Sequence, residues 1–258
     1  MSDGEVRYIR DGKIATVIFD RPAARNAMTW AMYEQLAQAC ARIAREDGLR
    51  AAVFRGAGGK AFIAGTDIAQ FQAFRGGEDG IAYEEKMGSR LAAIEALPVP
   101  TLAVIEGYAI GGGLAIAACC DLRIATPGSR FGVPIARTLG NCLSMANYAR
   151  LVAGFGASRG KRMLLLAENL SAEEALASGF LSEIVAPAEL DRRVGELTER
   201  LTHNAPITMR VSKEAIRRLM LAGVLESDDL SRACYGSEDF RIGMKAFVDK
   251  REPVWTGK

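Results

Sequence analysis

The chain has 258 residues, 49% of them hydrophobic and 25% charged, and carries a net charge of +2. This is the usage of an ordinary globular protein, so it excludes disorder as the dominant state and gives no electrostatic reason to expect a nucleic acid or a membrane surface as partner. The single histidine, His203, excludes a three-histidine metal centre, and no metal site is expected. Cysteines 40, 119, 120, 142 and 234 form no C-x-x-C pair, which fits a reducing, cytoplasmic compartment better than a disulfide scaffold. The opening MSDGEVRYIRDGK is polar and of mixed charge, unlike a signal peptide, and no apolar run is long enough for a membrane span.

In chain order, IATVIF at 14–19 reads as a strand. Thr29 then caps a helix with Trp30, Tyr33, Leu36, Cys40 and Ile43 on one face. AAVFR at 51–55 is the next strand, followed by the glycine-laden GAGGKAFIAGTD. Residues 72–82, with Gly76, Gly77 and Gly80 among mixed charges, read as a variable loop, and 84–96 as a helix ended by Pro98 and Pro100. TLAVIE is a strand, GYAIGGG a sharp turn into the small-residue helix LAIAACC, and DLRIAT another strand.

The second half is mostly helical. Helices are expected at 144–153 and 158–167, and at SAEEALASG with a Ser171/Glu174 capping box and a Gly179 C-cap. After Pro187 comes a helix with Leu190, Val194, Leu197 and Leu201 on one face, then helices at 207–222, 226–234 and 237–250. The pattern is an α/β core over residues 1–187 with a helical region over 188–258, one core with additions.

Two glycine-rich segments could carry chemistry: Ala61-Phe62-Ile63-Ala64-Gly65-Thr66-Asp67-Ile68 and Gly107-Tyr108-Ala109-Ile110-Gly111-Gly112-Gly113. Neither is a phosphate loop, because no G-K-[ST] follows and the glycines lack the G-x-G-x-x-G spacing. They are either tight turns for close packing, or turns that aim free backbone N–H groups at developing negative charge.

With these segments, Asp20-Arg21-Pro22, Asn26-Ala27-Met28, Cys120-Asp121-Leu122-Arg123-Ile124-Ala125, Phe131-Gly132-Val133-Pro134 and Ala175-Leu176-Ala177-Ser178-Gly179 follow in order. Together they resemble the motifs of the crotonase superfamily, the enoyl-CoA hydratase/isomerase family, over nearly the whole chain. The resemblance implies a ClpP/crotonase-type spiral of ββα units with a helical C-terminal third. It implies an acyl-CoA thioester substrate whose oxygen accepts the amides of Ala64 and Gly112. Coenzyme A would arrive as part of the substrate, with no tightly bound cofactor, its adenine and phosphates near Arg25 or Arg21. A homotrimer, or a hexamer of two trimers, would assemble through the C-terminal helices and lend Phe247 and Lys250 to a neighbour's site.

The sequence departs from the pattern where hydratases of this family carry two glutamates that activate water. Those positions hold Ala115 and Ile135, or Ala136 if the register shifts by one, and neither residue type can exchange a proton. An acid or base must then come from elsewhere: Glu106, Glu85 and Arg137 are the candidates, the last as a partner for a substrate carboxylate. Tyr83, Glu84, Thr138, Asn141, Cys142 and Ser144 are further polar residues near the expected pocket, while Asp67 and Asp121 read as structural. Cys142 is either a nucleophile or a small core residue. The reading is an enzyme working through a thioester enolate, without efficient two-glutamate hydration. The alternative is a catalytically degenerate acyl-CoA-binding protein.

Overall fold

The computed structural model describes residues 4–222 and 228–256, without the side chains of residues 69 and 70. Strand β1 (Glu5–Asp11) pairs antiparallel with β2 (Ile14–Asp20). The strand read in IATVIF is present as β2, with Ala15, Val17 and Phe19 buried and the residues between them half-buried. β2 continues in parallel through β3 (Ala51–Gly56), β5 (Thr101–Ile105), β7 (Leu122–Ala125) and β10 (Glu183–Ile184). A second sheet runs β4 (Ala61–Ile63), β6 (Tyr108–Ile110), β8 (Arg130–Gly132) and β9 (Asn169–Ser171), its last pair antiparallel. Each of the pairs β3/β4, β5/β6 and β7/β8 gives one strand to each sheet and is followed by a helix, so the chain winds through ββα units. The helices are α2 (Gly77–Glu95), α3 (Gly112–Cys119) and α4 (Ile135–Thr138).

Helix α1 (Trp30–Arg45) starts where Thr29 accepts the Met32 amide, and it buries Tyr33, Leu36, Cys40 and Ile43 as its spacing requires. Asn26, fully buried at φ 58, ties the turns together. Its Oδ1 accepts the Arg21 amide at 2.9 Å, and its Nδ2 donates to Ala57 O at 2.9 Å and Ala61 O at 2.8 Å. Asp121 likewise joins the starts of β5 and β7, accepting the Thr101 amide at 2.7 Å, and it also takes Lys213 Nζ at 2.8 Å.

Residues 72–82 are not a loop throughout: α2 begins at Gly77, about two turns before the expected start at 84. Glu78 and Asp79 favour a helix N-terminus there. A Cβ on Gly80 would stand 2.2 Å from the Tyr235 ring, so this glycine serves close packing rather than mobility. The two helices expected at 144–167 form α5 (Met145–Leu165), broken at Gly156 with φ 74. The Ser171/Glu174 capping box opens α6 (Ala172–Ala177), and Gly179, at φ 82, lies just past the Ser178 cap.

Helix α7 (Leu190–His203) lays Leu190, Val194 and Leu197 against Val53, Leu102, Val104 and Ile124 of the first sheet. His203 ends that helix exposed to solvent. Next come α8 (Pro206–Leu221), α9 (Asp228–Tyr235) and α10 (Glu238–Val248), and the expected helix start at 226 lies outside the described residues. Tyr235, Phe240 and Met244 pack with Phe71 and Leu139 in a separate apolar cluster beside the end of α2. No helix of the described residues is long and apolar enough to cross a membrane.

Candidate active site

The two glycine turns meet at the N-terminus of α3. Gly65 has φ 118 and Gly111 has φ 53, conformations that a side chain would strain. Gly65 O accepts the Met28 amide at 2.9 Å. In a trans peptide the N–H points opposite to the C=O, so the Thr66 amide faces the other way. Gly111 O accepts the Ala115 amide at 3.0 Å inside the helix, and the Gly112 amide therefore points back out of the helix end. Among the described residues neither amide has a protein acceptor. A Cβ on Gly112 would stand 4.0 Å from Thr66 N, 2.9 Å from Thr66 Oγ1 and 2.6 Å from Tyr33 Oη, so the two turns face each other at close range.

This corrects one half of the expected donor pair. The Ala64 amide donates to Arg25 O at 3.0 Å and is not free for a ligand; the free amide of the first turn is that of Thr66. The Gly112 amide has no acceptor among the described residues. The missed signal is the glycine itself, since each free amide follows a glycine with positive φ.

Both turns open on a cavity of about 460 Å³, walled mostly by apolar groups and by Tyr33, Tyr83 and Glu84. Ala115 and Ile135 line it too, so those two wall positions carry no ionisable group. Among the described residues two carboxylates line the cavity, Asp67 and Glu84. Asp67 is engaged by Arg21 Nη1 at 2.8 Å, and the same nitrogen reaches Ala27 O at 3.1 Å. Arg21 thus clamps the first glycine turn. Glu84, buried on α2, accepts the Tyr235 hydroxyl at 2.8 Å and the Ser144 amide at 2.9 Å. Burial pushes its carboxyl above the usual range, against these two hydrogen bonds. Tyr33 shares a 2.8 Å hydrogen bond with Thr66 Oγ1, and burial raises its hydroxyl to about 12, so it stays neutral.

The other expected acid–base residues lie outside the cavity walls. Glu85 is exposed, one residue and about 100° around the helix from Glu84. Glu106 faces Arg55 at 3.4 Å. Arg137 is exposed beside Thr138, which does line the cavity. Cys142 is buried off the cavity, its thiol raised by its hydrogen bond with Cys234 and by burial, which is the core reading and not that of a nucleophile. Glu84 was among the polar residues of the sequence but not among the preferred ones. Its signal is the spacing of Glu84, Met87 and Leu91, which share one helix face and all line the cavity.

Arg25 is exposed at the rim, its guanidinium 5.2 Å from the centre of the Tyr108 ring. Phe247, expected to reach a neighbour's site, lines the cavity of its own chain, because α10 folds back over the 3₁₀ turn at Ile68–Ala73. Lys250 is exposed and lies off the cavity walls. Among the described residues no cluster of histidine, cysteine or carboxylate side chains could hold a metal ion.

Residues 10–258 match the family model described as Enoyl-CoA hydratase/isomerase. The chain is 32% identical over 252 residues to the short-chain-enoyl-CoA hydratase of Clostridium acetobutylicum, covering 94% of each protein. It is 29% identical over 265 residues to the methylmalonyl-CoA decarboxylase of Escherichia coli, covering all of both. A solved methylmalonyl-CoA decarboxylase in complex with 2-nitronate-propionyl-CoA superposes with a TM-score of 0.90 at 29% identity over 98% of each chain. A glycine-turn pair at a helix N-terminus, a spiral of ββα units and a match over nearly the full length all agree: the chain belongs to the enoyl-CoA hydratase/isomerase family.

Proposed function

We propose that this protein processes acyl-CoA thioesters through an enolate, the thioester oxygen lying between the amides of Thr66 and Gly112. The observation that carries this reading is the pair of unpaired N–H groups facing one cavity. Enolate formation moves negative charge onto that oxygen, and donors fixed in advance stabilise it without reorganisation. Loss of one such donor costs about 10²–10³ in kcat in studied enzymes. Coenzyme A enters as part of the substrate. Its charged end lies toward exposed Arg25, whereas Arg21 is committed to Asp67.

Glu84 is the group that exchanges the proton. It lines the cavity, has no cationic partner among its hydrogen bonds, and is held by burial nearer to neutrality than a free carboxyl. A raised pKa suits a base at physiological pH. In the forward step the Glu84 carboxylate takes the α proton, and the C–H electron pair passes to the thioester oxygen. In the reverse step the carboxylic acid returns the proton to carbon. Attack of water at the β carbon has no second carboxylate to assist it, because Ala115 and Ile135 stand in the wall.

The test is exchange of the α protons of butyryl-CoA in heavy water, followed by NMR, beside calorimetric titration. Wild-type protein is expected to bind saturably and to exchange, and Glu84→Gln to bind but exchange at least about 10²-fold more slowly. Saturable binding without exchange in the wild type would favour the pure binder. Absence of binding by folded protein would sink the reading.

A further inference from the structure

We infer that the acyl group carries a hydrogen-bond-accepting oxygen near its β carbon, read by the side-chain amide of Asn147. The inference rests on the acyl-CoA reading above. Arg150 is buried and grips Glu95 through two hydrogen bonds of 2.7 and 2.8 Å. Its Nη1 donates to Asn147 Oδ1 at 2.9 Å. A guanidinium can only donate, so the carbonyl end of Asn147 must face it, and the amide nitrogen with its two hydrogens faces away. Asn147 lines the large cavity together with Ala115, Ile135 and Leu143, and it also lines an adjoining hollow of about 20 Å³ behind Ala115. Among the described residues nothing accepts from Asn147 Nδ2.

This nitrogen is therefore a donor oriented in advance, in a wall that Asn147 shares with Ala115, Ile135 and Leu143. A hydrocarbon acyl chain would cover that donor without satisfying it, at a cost of about tenfold or more in affinity relative to a chain bearing an acceptor there. The position follows from the hollow: Gly111, Ala115 and Asn147 all border a space of about 20 Å³, so the Asn147 amide stands close to the end of α3 that holds the thioester oxygen, and its acceptor belongs to the part of the acyl group within a few bonds of the thioester carbon. The substrate class is a 3-oxoacyl or 2-carboxyacyl (malonyl-type) thioester, whose ketone or carboxylate oxygen at C3 offers the same acceptor chemistry.

Titration of the full-length protein with butyryl-CoA, acetoacetyl-CoA and malonyl-CoA tests this. At least one oxygenated thioester is expected to bind about tenfold or more tightly than butyryl-CoA, and which one does so separates ketone from carboxylate. In Asn147→Asp the acceptor for Arg150 remains but the donor is gone, and the preference is expected to fall to about twofold or less. In the wild type, the side-chain amide resonances of Asn147 should shift with the preferred thioester and not with butyryl-CoA, a readout that does not depend on the variant folding. Equal affinity for all three, or an unchanged preference in Asn147→Asp, overturns the inference while leaving acyl-CoA binding intact. Failure of all three to bind overturns the acyl-CoA reading and this inference with it.

Discussion

The Arg25 carbonyl accepts the Ala64 amide at 3.0 Å, and this bond decides which residue of the first glycine turn can serve a thioester. It removes Ala64 from consideration and leaves the Thr66 amide, two residues on, facing Gly112. The same short stretch holds Arg21 against Asp67 and Asn26 against three backbone groups, so the donor is set in a turn braced from several sides.

Asn26 should therefore matter to stability without touching the chemistry. Asn26→Ala strips partners from the Arg21 amide and from the carbonyls of Ala57 and Ala61, and leaves alanine at φ 58. The expected loss is about 3 kcal/mol, from three hydrogen bonds near 1 kcal/mol each. Urea denaturation checks it, and a loss under about 1 kcal/mol would contradict the bracing role.

Hydration of crotonyl-CoA should be slow. Ala115 and Ile135, the positions to which the resemblance assigns the two water-activating glutamates, line the cavity. General acid–base catalysis is typically worth 10²–10⁴-fold, and a side-by-side absorbance assay with a two-glutamate hydratase should show a deficit of about that size in kcat/KM. Comparable rates would mean that another group, Glu84 first among them, activates water unaided.

The pH dependence has a definite sign. Glu84 is raised above its ordinary value, so folding favours its protonated form. Its contribution to stability is present below the ordinary carboxylate value and is lost as the pH rises through the folded-state value. Glu84→Gln removes that loss. The Tm of this variant relative to wild type should rise as the pH climbs from the ordinary carboxylate value through the raised folded-state value. A constant difference would indicate an unperturbed carboxyl. The exchange activity of the wild type should climb over the same raised range as the carboxylate forms.

Helix α8 has no buried residue within the single chain and exposes Ile207, Val211, Ile216 and Leu219. An apolar surface of this kind fits a subunit contact. Light scattering is expected to give three or six times the mass of the chain. A clean monomer would contradict this. Phe247 already lines its own cavity, so a monomer would leave the site as described.

Most of the helices and the parallel strands of the first sheet were legible because apolar runs, spacing and punctuation report burial directly: the β2 run, the Thr29 and Ser171 caps, and the glycine turns; the spiral of ββα units came from the resemblance of the ordered motifs. The start of α2 was not, since Gly76, Gly77 and Gly80 look like a loop until Tyr235, 155 positions beyond Gly80, is seen pressed against that helix. The site was half legible. Gly112 follows from its place at a helix N-terminus. Choosing between Ala64 and Thr66 needs the acceptor from the Arg25 turn, which motif spacing does not reveal. Glu84 depends on Tyr235 from α9, which no local pattern links to it, and although Asn147 and Arg150 stand one turn apart on α5, their spacing does not reveal which end of the amide Arg150 holds.

The central claim is the placement of the thioester oxygen between two particular amides, and residue-resolved amide hydrogen exchange tests it most directly. In free protein the Ala64 amide should be protected and those of Thr66 and Gly112 should not. Saturation with butyryl-CoA should protect Thr66 and Gly112 and leave Ala64 unchanged, and a thioether analogue lacking the carbonyl should protect neither. Protection gained at Ala64, or none gained at Thr66 and Gly112 with the thioester bound, would contradict the account.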